Sequence, residues 1–176
     1  GREVRDGGGI RPDIEPKSEE LSTLLFYLMQ DMAIFDFATE YTLKHDSIAP
    51  AETFAISDRD YDEFKKLLKS RNFSYDLISV KVLKDLKEAM EFEGFTEIAK
   101  EEIASLEKKL QANLEHSLTH FEKEIRSLID DEIVLRYHGQ KGRIVYNLRE
   151  DICLKEAYRI LGNEKEYKKI LTPADK

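Results

Sequence analysis

Apolar residues recur every three or four positions between residues 96 and 136, and this spacing constrains the fold more than any other feature of the sequence. The repeat consists of Ala99, Ile103, Leu106, Leu110, Leu114, Leu118, Phe121, Ile125 and Leu128. One face of an α-helix presents residues at these steps, and charged residues fill much of the opposite face. The run therefore predicts either one long amphipathic helix or two helices in an antiparallel pair. Because the apolar stripe is wider than a strict coiled-coil seam, we expect it to pack into a helical bundle.

Helical spacing also precedes this run. It begins at Ser18, which has the character of an N-cap because acidic residues follow it, and it continues to Leu43. Residues 57–60 open a second helical stretch, and residues 71–75 form a connection. A further stripe covers residues 77–90, with Leu77, Val80, Leu83, Leu86, Ala89 and Met90 as its apolar positions. Gly94 is the predicted stop of that helix.

The remaining segments complete an all-α fold. Residues 139–142 predict a turn, Ile144-Val145-Tyr146 a short extended piece, and residues 150–161 and 164–171 two final helices. Residues 1–17 hold four of the eight glycines and two of the four prolines, which favours an extended arm. We therefore predict a multi-helix bundle over residues 18–176, with a long amphipathic helix or helical hairpin, preceded by a Gly/Pro-rich arm over residues 1–17.

Charge and cysteine content exclude several classes of protein. Lys and Arg number 28 against 36 Asp and Glu, so the formal net charge is −8, and such an acidic balance argues against a nucleic-acid partner. No apolar run approaches the roughly 18 residues that would cross a bilayer. Cys153 is the single cysteine, which excludes an internal disulfide and an all-cysteine zinc site. Its neighbours Ile152 and Leu154 are apolar, so we predict that Cys153 is a core side chain and not a nucleophile.

His116, His120 and Glu124 follow one another at four-residue steps, so a helix would carry them on one face. The zinc-hydrolase motif requires Glu directly after the first His as general base, and Ser117 stands there instead. Bundle carboxylate sites use Glu-x-x-His pairs, and the sequence contains none. We interpret the histidines as part of a solvated face, with a metal-binding bundle as the weaker alternative. No metal and no cofactor is predicted.

Two polar motifs resemble catalytic or calcium sites only in composition. His45-Asp46-Ser47 contains the residue types of a serine-hydrolase triad, but sequence neighbours cannot form that relay, so a polar turn at a helix end is predicted. The alternating acids at residues 58–62 lack the glycine and the distal Glu of a calcium loop. An acidic helix N-terminus is the better interpretation.

Two further motifs point to local structure. The glycines at residues 7–9 lack the Lys-Ser/Thr of a phosphate-binding loop, which leaves a flexible turn. The basic residues Arg136, His138, Lys141 and Arg143 are too few for nucleic acid and predict a turn or an intramolecular anion contact. No catalytic residue is predicted anywhere in the chain.

Gly8-Gly9-Ile10-Arg11-Pro12-Asp13-Ile14 resembles a segment of the carboxy-terminal processing, or tail-specific, serine proteases. In that family Gly-Ile-x-Pro-Asp-Ile/Val follows the catalytic core, after a Ser-Gly-Arg-x-Ile/Val stretch to which Gly1-Arg2-Glu3-Val4 is partly similar. Later blocks are similar to the helical C-terminal extension of some members in Gram-negative bacteria. They are residues 35–41, Tyr61 with Phe64, and residues 132–137, 157–161 and 167–171.

The resemblance implies an accessory domain of an enzyme whose active site lies elsewhere. The parent would hydrolyse peptide bonds near protein C-termini with a Ser–Lys dyad, which the family carries before the Gly-Ile-x-Pro-Asp motif together with a PDZ domain. The chain opens on Gly1 rather than Met, and we expect a fragment that is inactive alone. Its implied partners are the catalytic core and PDZ domain of the parent, protein or peptide substrates, and a possible homo-oligomer. The implied location is the periplasm or cell envelope.

Within that resemblance, the helices would brace the core, form an oligomer contact or gate substrate entry, and the sequence does not rank these roles. The alternative from another class is a stand-alone helical module that binds a partner helix in a groove. Such a module would expose a contiguous apolar patch larger than a monomer normally shows.

Overall fold

The structure, a computed structural model, describes residues 12–17, 21–110 and 114–172, and it is helical without any strand in those ranges. The predicted all-α class is therefore confirmed. In chain order the helices are α1 (Thr23–Gln30), α2 (Ala33–Lys44), α3 (Asp58–Ser70), α4 (Ile78–Glu93), α5 (Lys100–Leu110), α6 (Leu114–His120), α7 (Glu122–Leu148), α8 (Ile152–Leu161) and α9 (Glu164–Leu171). Residues 12–17 contain no helix, as the arm prediction requires, and the rest of the Gly-rich motif lies outside the described residues.

The first helical stretch is shorter and more broken than its sequence pattern predicted. Helix α1 begins after Ser22, whose Oγ accepts a hydrogen bond from the N–H of Leu25 at 3.3 Å. The predicted cap at Ser18 lies outside the described residues, and residues 21–22 are not helical. Between α1 and α2 the backbone of Met32 is left-handed, with φ of 59°. The helical stretch predicted to continue to Leu43 is thus interrupted, because the left-handed backbone of Met32 separates α1 from α2.

Helix α3 follows its sequence signals closely. Ser57 accepts a hydrogen bond from the N–H of Asp60, and the Asp60 carboxylate accepts one from the N–H of Ser57, which together form a capping box. This arrangement confirms an acidic helix N-terminus in place of a calcium loop. The buried face of α3 contains Tyr61, Phe64 and Leu68. The connection predicted at residues 71–75 also exists.

The core lies between α1, α2, α3, α6 and α7. Helix α2 packs along α7, α1 and α3 pack against α2, and α6 packs against α7. The largest fully buried side chains are Tyr61, Phe64, Leu24, Leu28, Leu68, Leu118, Ile125, Ile129, Ile133 and Val134. Phe37 and Phe64 meet edge to face at a centroid distance of 5.4 Å, a favoured aromatic geometry. Phe54 and Ile56, from the loop after α2, complete this core.

The long apolar run is interrupted at Phe121, so within the described residues it is not one continuous helix. Helix α5 pairs with α4, where Lys87 and Glu107 form an ion pair at 2.6 Å. Helices α6 and α7 follow one another, separated at Phe121, whose φ and ψ of −102° and 22° are not helical. Gly94 ends α4 in the left-handed conformation, with φ of 79°, as predicted.

Helix α7 is kinked in the region that the sequence predicted as a turn. Gly139 has φ of 63° and ψ of −165°, a conformation almost restricted to glycine. Helical structure resumes directly after it, so Ile144-Val145-Tyr146 is helical and the predicted extended piece was wrong. Gly142 is buried, and a Cβ atom there would lie 2.1 Å from Cβ of His138. The two halves of α7 therefore approach too closely for any side chain at residue 142.

The last two helices lie where the sequence predicted them. Side chains of Asp151 and Asn163 cap α8 and α9 by accepting hydrogen bonds from backbone N–H groups. Arg159 joins the two helices, with its guanidinium 2.8 Å from a carboxylate oxygen of Glu156 and 2.7 Å from one of Glu166. Neither helix contributes a buried side chain, so this pair is held largely by its own contacts.

Candidate functional site

Two adjacent carboxylates on α7 are the buried charged side chains of the described part of the chain. Asp130 is 5% exposed and accepts hydrogen bonds from the N–H of Ile56 at 2.8 Å and from the hydroxyl of Tyr146 at 3.1 Å. Burial raises the pKa of Asp130 to about 6, against the lowering effect of those two hydrogen bonds and of Arg149 and Arg126. The same burial, with the charge of Asp130 beside it, raises the pKa of Tyr146 to about 12.

Asp131 connects the two halves of the kinked helix. Its carboxylate lies 2.6 Å from a terminal nitrogen of Arg143 and accepts a hydrogen bond from the amide of Asn147 at 2.7 Å. Both partners follow the Gly139 kink, as Tyr146 does. The carboxylates at residues 130–131 therefore hold the second half of α7 against the first through hydrogen bonds and an ion pair.

Side chains of α7, and of Arg149 directly after it, also hold the backbone of the loop at residues 45–57 through hydrogen bonds. The hydroxyl of Tyr137 donates to the carbonyl of His45, and a ring nitrogen of His138 lies 3.0 Å from the carbonyl of Ala49. Arg149 donates to the carbonyl of Phe54 at 3.0 Å. A loop that carries no regular structure thereby acquires partners for its polar backbone groups.

Arg126 completes this attachment where the loop enters α3. It donates to the carbonyls of Ile56 and Ser57, each at 3.2 Å, and its guanidinium lies 4.5 Å from the ring centroid of Tyr61. The hydroxyl of Tyr61 in turn donates to the carbonyl of Leu118 at 2.7 Å within the core. Because Asp130 is enclosed by these groups, no substrate reaches its carboxylate. The cluster around Asp130 therefore holds the loop and the two halves of α7 together and is not an acid–base centre.

The predicted solvated face of α6 is confirmed. His116 and His120 are both exposed, with ring centroids 6.1 Å apart, while Glu124 lies beyond the break at Phe121. In the part of the chain that the structure describes, no group of three or more potential ligands could hold a metal ion.

The other polar motifs take structural roles. His45 ends α2, stacks on the ring of Tyr41 at 3.9 Å and contacts the Tyr41 carbonyl through Nδ1, so His45-Asp46-Ser47 is a polar turn as predicted. The basic residues near the kink make intramolecular anion contacts: Arg136 pairs with Glu132 at 3.1 Å, as Arg143 does with Asp131.

Cys153 corrects a prediction, because its side chain is exposed rather than part of the core. The apolar neighbours Ile152 and Leu154 belong to a helix that contributes no buried side chain, so local composition was misleading there.

Helix α4 carries several exposed apolar side chains, which makes its surface a candidate for binding. The sequence predicted a buried stripe on α4, yet Leu83 is the one buried residue of the helix. Ile78, Val82, Leu86 and Phe92 are 66%, 57%, 46% and 94% exposed. The signal available in the sequence was that apolar residues lie on more than one side of α4, so that a single neighbouring helix cannot cover them all.

The sequence analysis also missed Asp130 and Asp131. A signal existed, because Asp130 lies one helical turn before the buried Val134 and one turn after Arg126, so a carboxylate falls on an inward face next to a guanidinium.

Comparison with known proteins gives one finding. A family model described as "Probable PDZ-protease, C-terminal helical domain" matches residues 24–161. No curated protein and no solved structure matches the chain. Within the described residues, no helix is both long and apolar enough to cross a membrane.

Proposed function

Because the chain belongs to the family of C-terminal helical domains of probable PDZ-proteases, we propose that it is a non-catalytic accessory domain of a tail-specific serine endopeptidase. The family match over residues 24–161 carries this proposal. The parent would cleave peptide bonds near protein C-termini with a Ser–Lys dyad outside this chain, in which neutral lysine is the general base. A periplasmic or cell-envelope location belongs to the same proposal and rests on the resemblance of the sequence motifs.

The chemistry of the described residues supports a non-catalytic role. The one sequence motif with triad residue types is a turn in which His45 contacts Tyr41 and not Ser47. The buried carboxylates at residues 130–131 are engaged with Ile56, Tyr146 and Arg143. A nucleophile and a general base must lie within hydrogen-bonding distance in an accessible site, and none of these groups meets that requirement.

The domain has a buried core with two peripheral hairpins, which suits bracing, oligomer contact or gating of a neighbouring catalytic domain. Helices α4 with α5 and α8 with α9 form two hairpins that add one buried side chain, Leu83, to the molecule. Their exposed apolar residues provide surface for a further contact. The same observation favours the second candidate, a stand-alone helical interaction module, because such a module also needs an uncovered apolar face.

A peptidase assay distinguishes the two candidates. The 176-residue chain and the longer gene product are incubated separately with an unstructured peptide that ends in apolar residues, and cleavage is followed by mass spectrometry. We expect turnover by the longer protein and none by this chain. Loss of turnover when the longer protein lacks residues 24–161, with its catalytic domain still folded, would support an accessory role.

Two results would contradict the proposal. Turnover by the 176-residue chain alone would mean that it contains a catalytic site. Absence of turnover from both proteins would favour the interaction module. A longer protein whose proposed catalytic serine is replaced by alanine is the control for contaminating peptidases.

A further inference from the structure

We infer that two copies of this chain exchange their C-terminal helices, with Gly139 as the hinge. The exchanged segment, defined as residues 140–171, consists of the second half of α7 with α8 and α9. Gly139 separates it from the first half of α7, because it is the residue of that helix with non-helical φ and ψ. Short hinges under strain favour the exchange of identical elements between copies.

A change of backbone conformation at this one residue is enough to open the chain. In the folded-back form Gly139 has φ of 63° and ψ of −165°, values that are almost restricted to glycine. With helical angles at Gly139 instead, α7 becomes one continuous helix of 27 residues, about 40 Å long. A Cβ atom at residue 139 would meet no atom of the described residues within 4 Å, so no neighbouring atom fixes the hinge.

The contacts of the exchanged segment lie mainly along the first half of α7. Gly142 and Tyr146 are its buried residues, and neither α8 nor α9 adds another. Its polar side chains contact the carboxylates at residues 130–131, with Arg143 at 2.6 Å, Asn147 at 2.7 Å and Tyr146 at 3.1 Å. One compact set of complementary groups therefore joins the segment to the rest of the domain.

The surface that the segment leaves on opening fits the same segment of a second copy. Opening alone would expose the ring of Tyr146, which is 8% exposed, and would remove partners from the buried carboxylates at residues 130–131. Such losses are costly for buried polar groups. A second copy supplies the identical Tyr146, Arg143 and Asn147, so these contacts re-form between chains. The exchanged dimer is two-fold symmetric, and its complementarity is the one observed within a single chain.

Glycine at the hinge keeps the wild-type chain mainly folded back on itself. It adopts left-handed angles at little cost, whereas it is a poor residue inside a continuous helix. Two chains also lose translational freedom when they associate. We therefore expect monomers at low concentration and a minority of exchanged dimers after refolding at high concentration.

Replacement of the hinge residue tests the inference, because alanine has the opposite backbone preferences. Gly139→Ala should lower the dissociation constant of the dimer about a hundredfold, about tenfold for each of the two hinges. Each protein is unfolded in urea, refolded over a concentration series so that segments exchange, and examined by sedimentation velocity. The matched control is Gly94→Ala, which replaces a glycine with φ of 79° and no described atom within 4 Å of its added Cβ, and which should associate no more than wild type.

Insertion of two glycines after Gly139 should have the opposite effect. A longer hinge lets the chain fold back without strain, so the dimer should disappear at every concentration used. Circular dichroism shows whether each variant is folded. If Gly139→Ala does not fold, comparison of the wild type with the insertion variant still decides the question.

A pair of charge variants distinguishes exchange from pairing through another surface. Asp131→Arg and Arg143→Asp are each combined with Gly139→Ala. Each variant alone places like charges at the contact, whereas an exchanged dimer of one with the other places opposite charges at both contacts. Joint refolding should therefore give mainly the mixed dimer, which native mass spectrometry identifies by its mass.

Three results would overturn the inference. A folded Gly139→Ala chain that is monomeric at every concentration would show that the hinge does not govern association. Dimers that persist after the two-glycine insertion, or mixed dimers no more abundant than random mixing gives, would place the contact on another surface. Exchange does not depend on whether the parent protein cleaves peptide bonds, so this test is separate from the peptidase assay.

Discussion

Replacing the buried carboxylate by an amide, Asp130→Asn, should stabilise the domain at neutral pH. The amide oxygen can still accept from the N–H of Ile56, and the amide nitrogen can donate to the hydroxyl oxygen of Tyr146, so both contacts persist. What the substitution removes is the negative charge that burial disfavours. A more stable variant is therefore expected, although most substitutions of buried polar groups destabilise.

The magnitude follows from the pKa of Asp130. In the folded chain it is about 6, against an ordinary value of 3.8. One pH unit corresponds to 1.36 kcal/mol, so the difference amounts to about 3 kcal/mol. Because the folded state holds the proton more tightly, the contribution of Asp130 to stability is complete below about pH 4 and is lost as the pH rises through about 6. The advantage of Asp130→Asn over the wild type should grow by about that amount over this interval.

Urea unfolding followed by far-ultraviolet circular dichroism at pH 4, 5, 6, 7 and 8 measures this change. The quantity of interest is the free energy of unfolding of the variant minus that of the wild type, because other carboxylates titrate alike in both proteins. Asp131→Asn is the matched control. It loses the charge-assisted contact to Arg143, and we expect it to lower stability by about 1–3 kcal/mol at neutral pH.

The distinctive result is that the free energy of unfolding rises for Asp130→Asn and falls for Asp131→Asn at neutral pH. A difference between Asp130→Asn and wild type that stays constant from pH 4 to pH 8 would refute the reasoning. A variant less stable than wild type at pH 8 would do so as well, since it would mean that the ionised carboxylate stabilises the fold through its hydrogen bonds.

Two other substitutions test the structure at separate points. Gly142→Ala should destabilise the domain by about 1–3 kcal/mol, because the new Cβ would lie 2.1 Å from Cβ of His138. Thermal unfolding measures this change. The control is Gly162→Ala, where the atom nearest to the new Cβ would be 3.3 Å away. An unchanged melting temperature for Gly142→Ala would contradict the close approach of the two halves of α7. Tyr61→Phe should cost about 1–3 kcal/mol by leaving the buried carbonyl of Leu118 without its 2.7 Å partner. Tyr158→Phe, on an exposed ring, should have no measurable effect in the same urea unfolding experiment.

Local signals predicted individual helix ends well. The capping box at residues 57–60, the stop at Gly94 and the positions of α8 and α9 were all predictable. Each depends on side chains within a few residues of the backbone groups that they satisfy. Breaks without a local signal were missed. Met32 and Phe121 interrupt apolar periodicity that continues on both sides, and no glycine or proline marks either position.

The candidate sites were less predictable than the helices. Asp130 and Asp131 hold the two halves of α7 together because the Gly139 kink brings Tyr146, Arg143 and Asn147 within hydrogen-bonding distance of them. That geometry depends on contacts 12 to 16 residues along the chain. The loop at residues 45–57 is attached by residues still more distant in sequence, for which helical periodicity contains no information.

Exposure was the other quantity that sequence patterns did not determine. Leu86 lies on a predicted apolar stripe and Cys153 lies between two apolar residues, and both are exposed. A helix can present an apolar face without burying it, because burial requires a second element at the right place.

By itself, the sequence determined the helical class of this protein, most of its helix termini and its resemblance to the end of a tail-specific protease. Hydrogen bonds four residues apart and caps within one turn create helices, so these features are encoded locally. Only the tertiary structure decided that α5 pairs with α4, that α7 folds back at Gly139 and that apolar residues of α4 such as Val82 and Leu86 face water. Those outcomes depend on which surfaces meet, and residues far apart in the chain supply the surfaces.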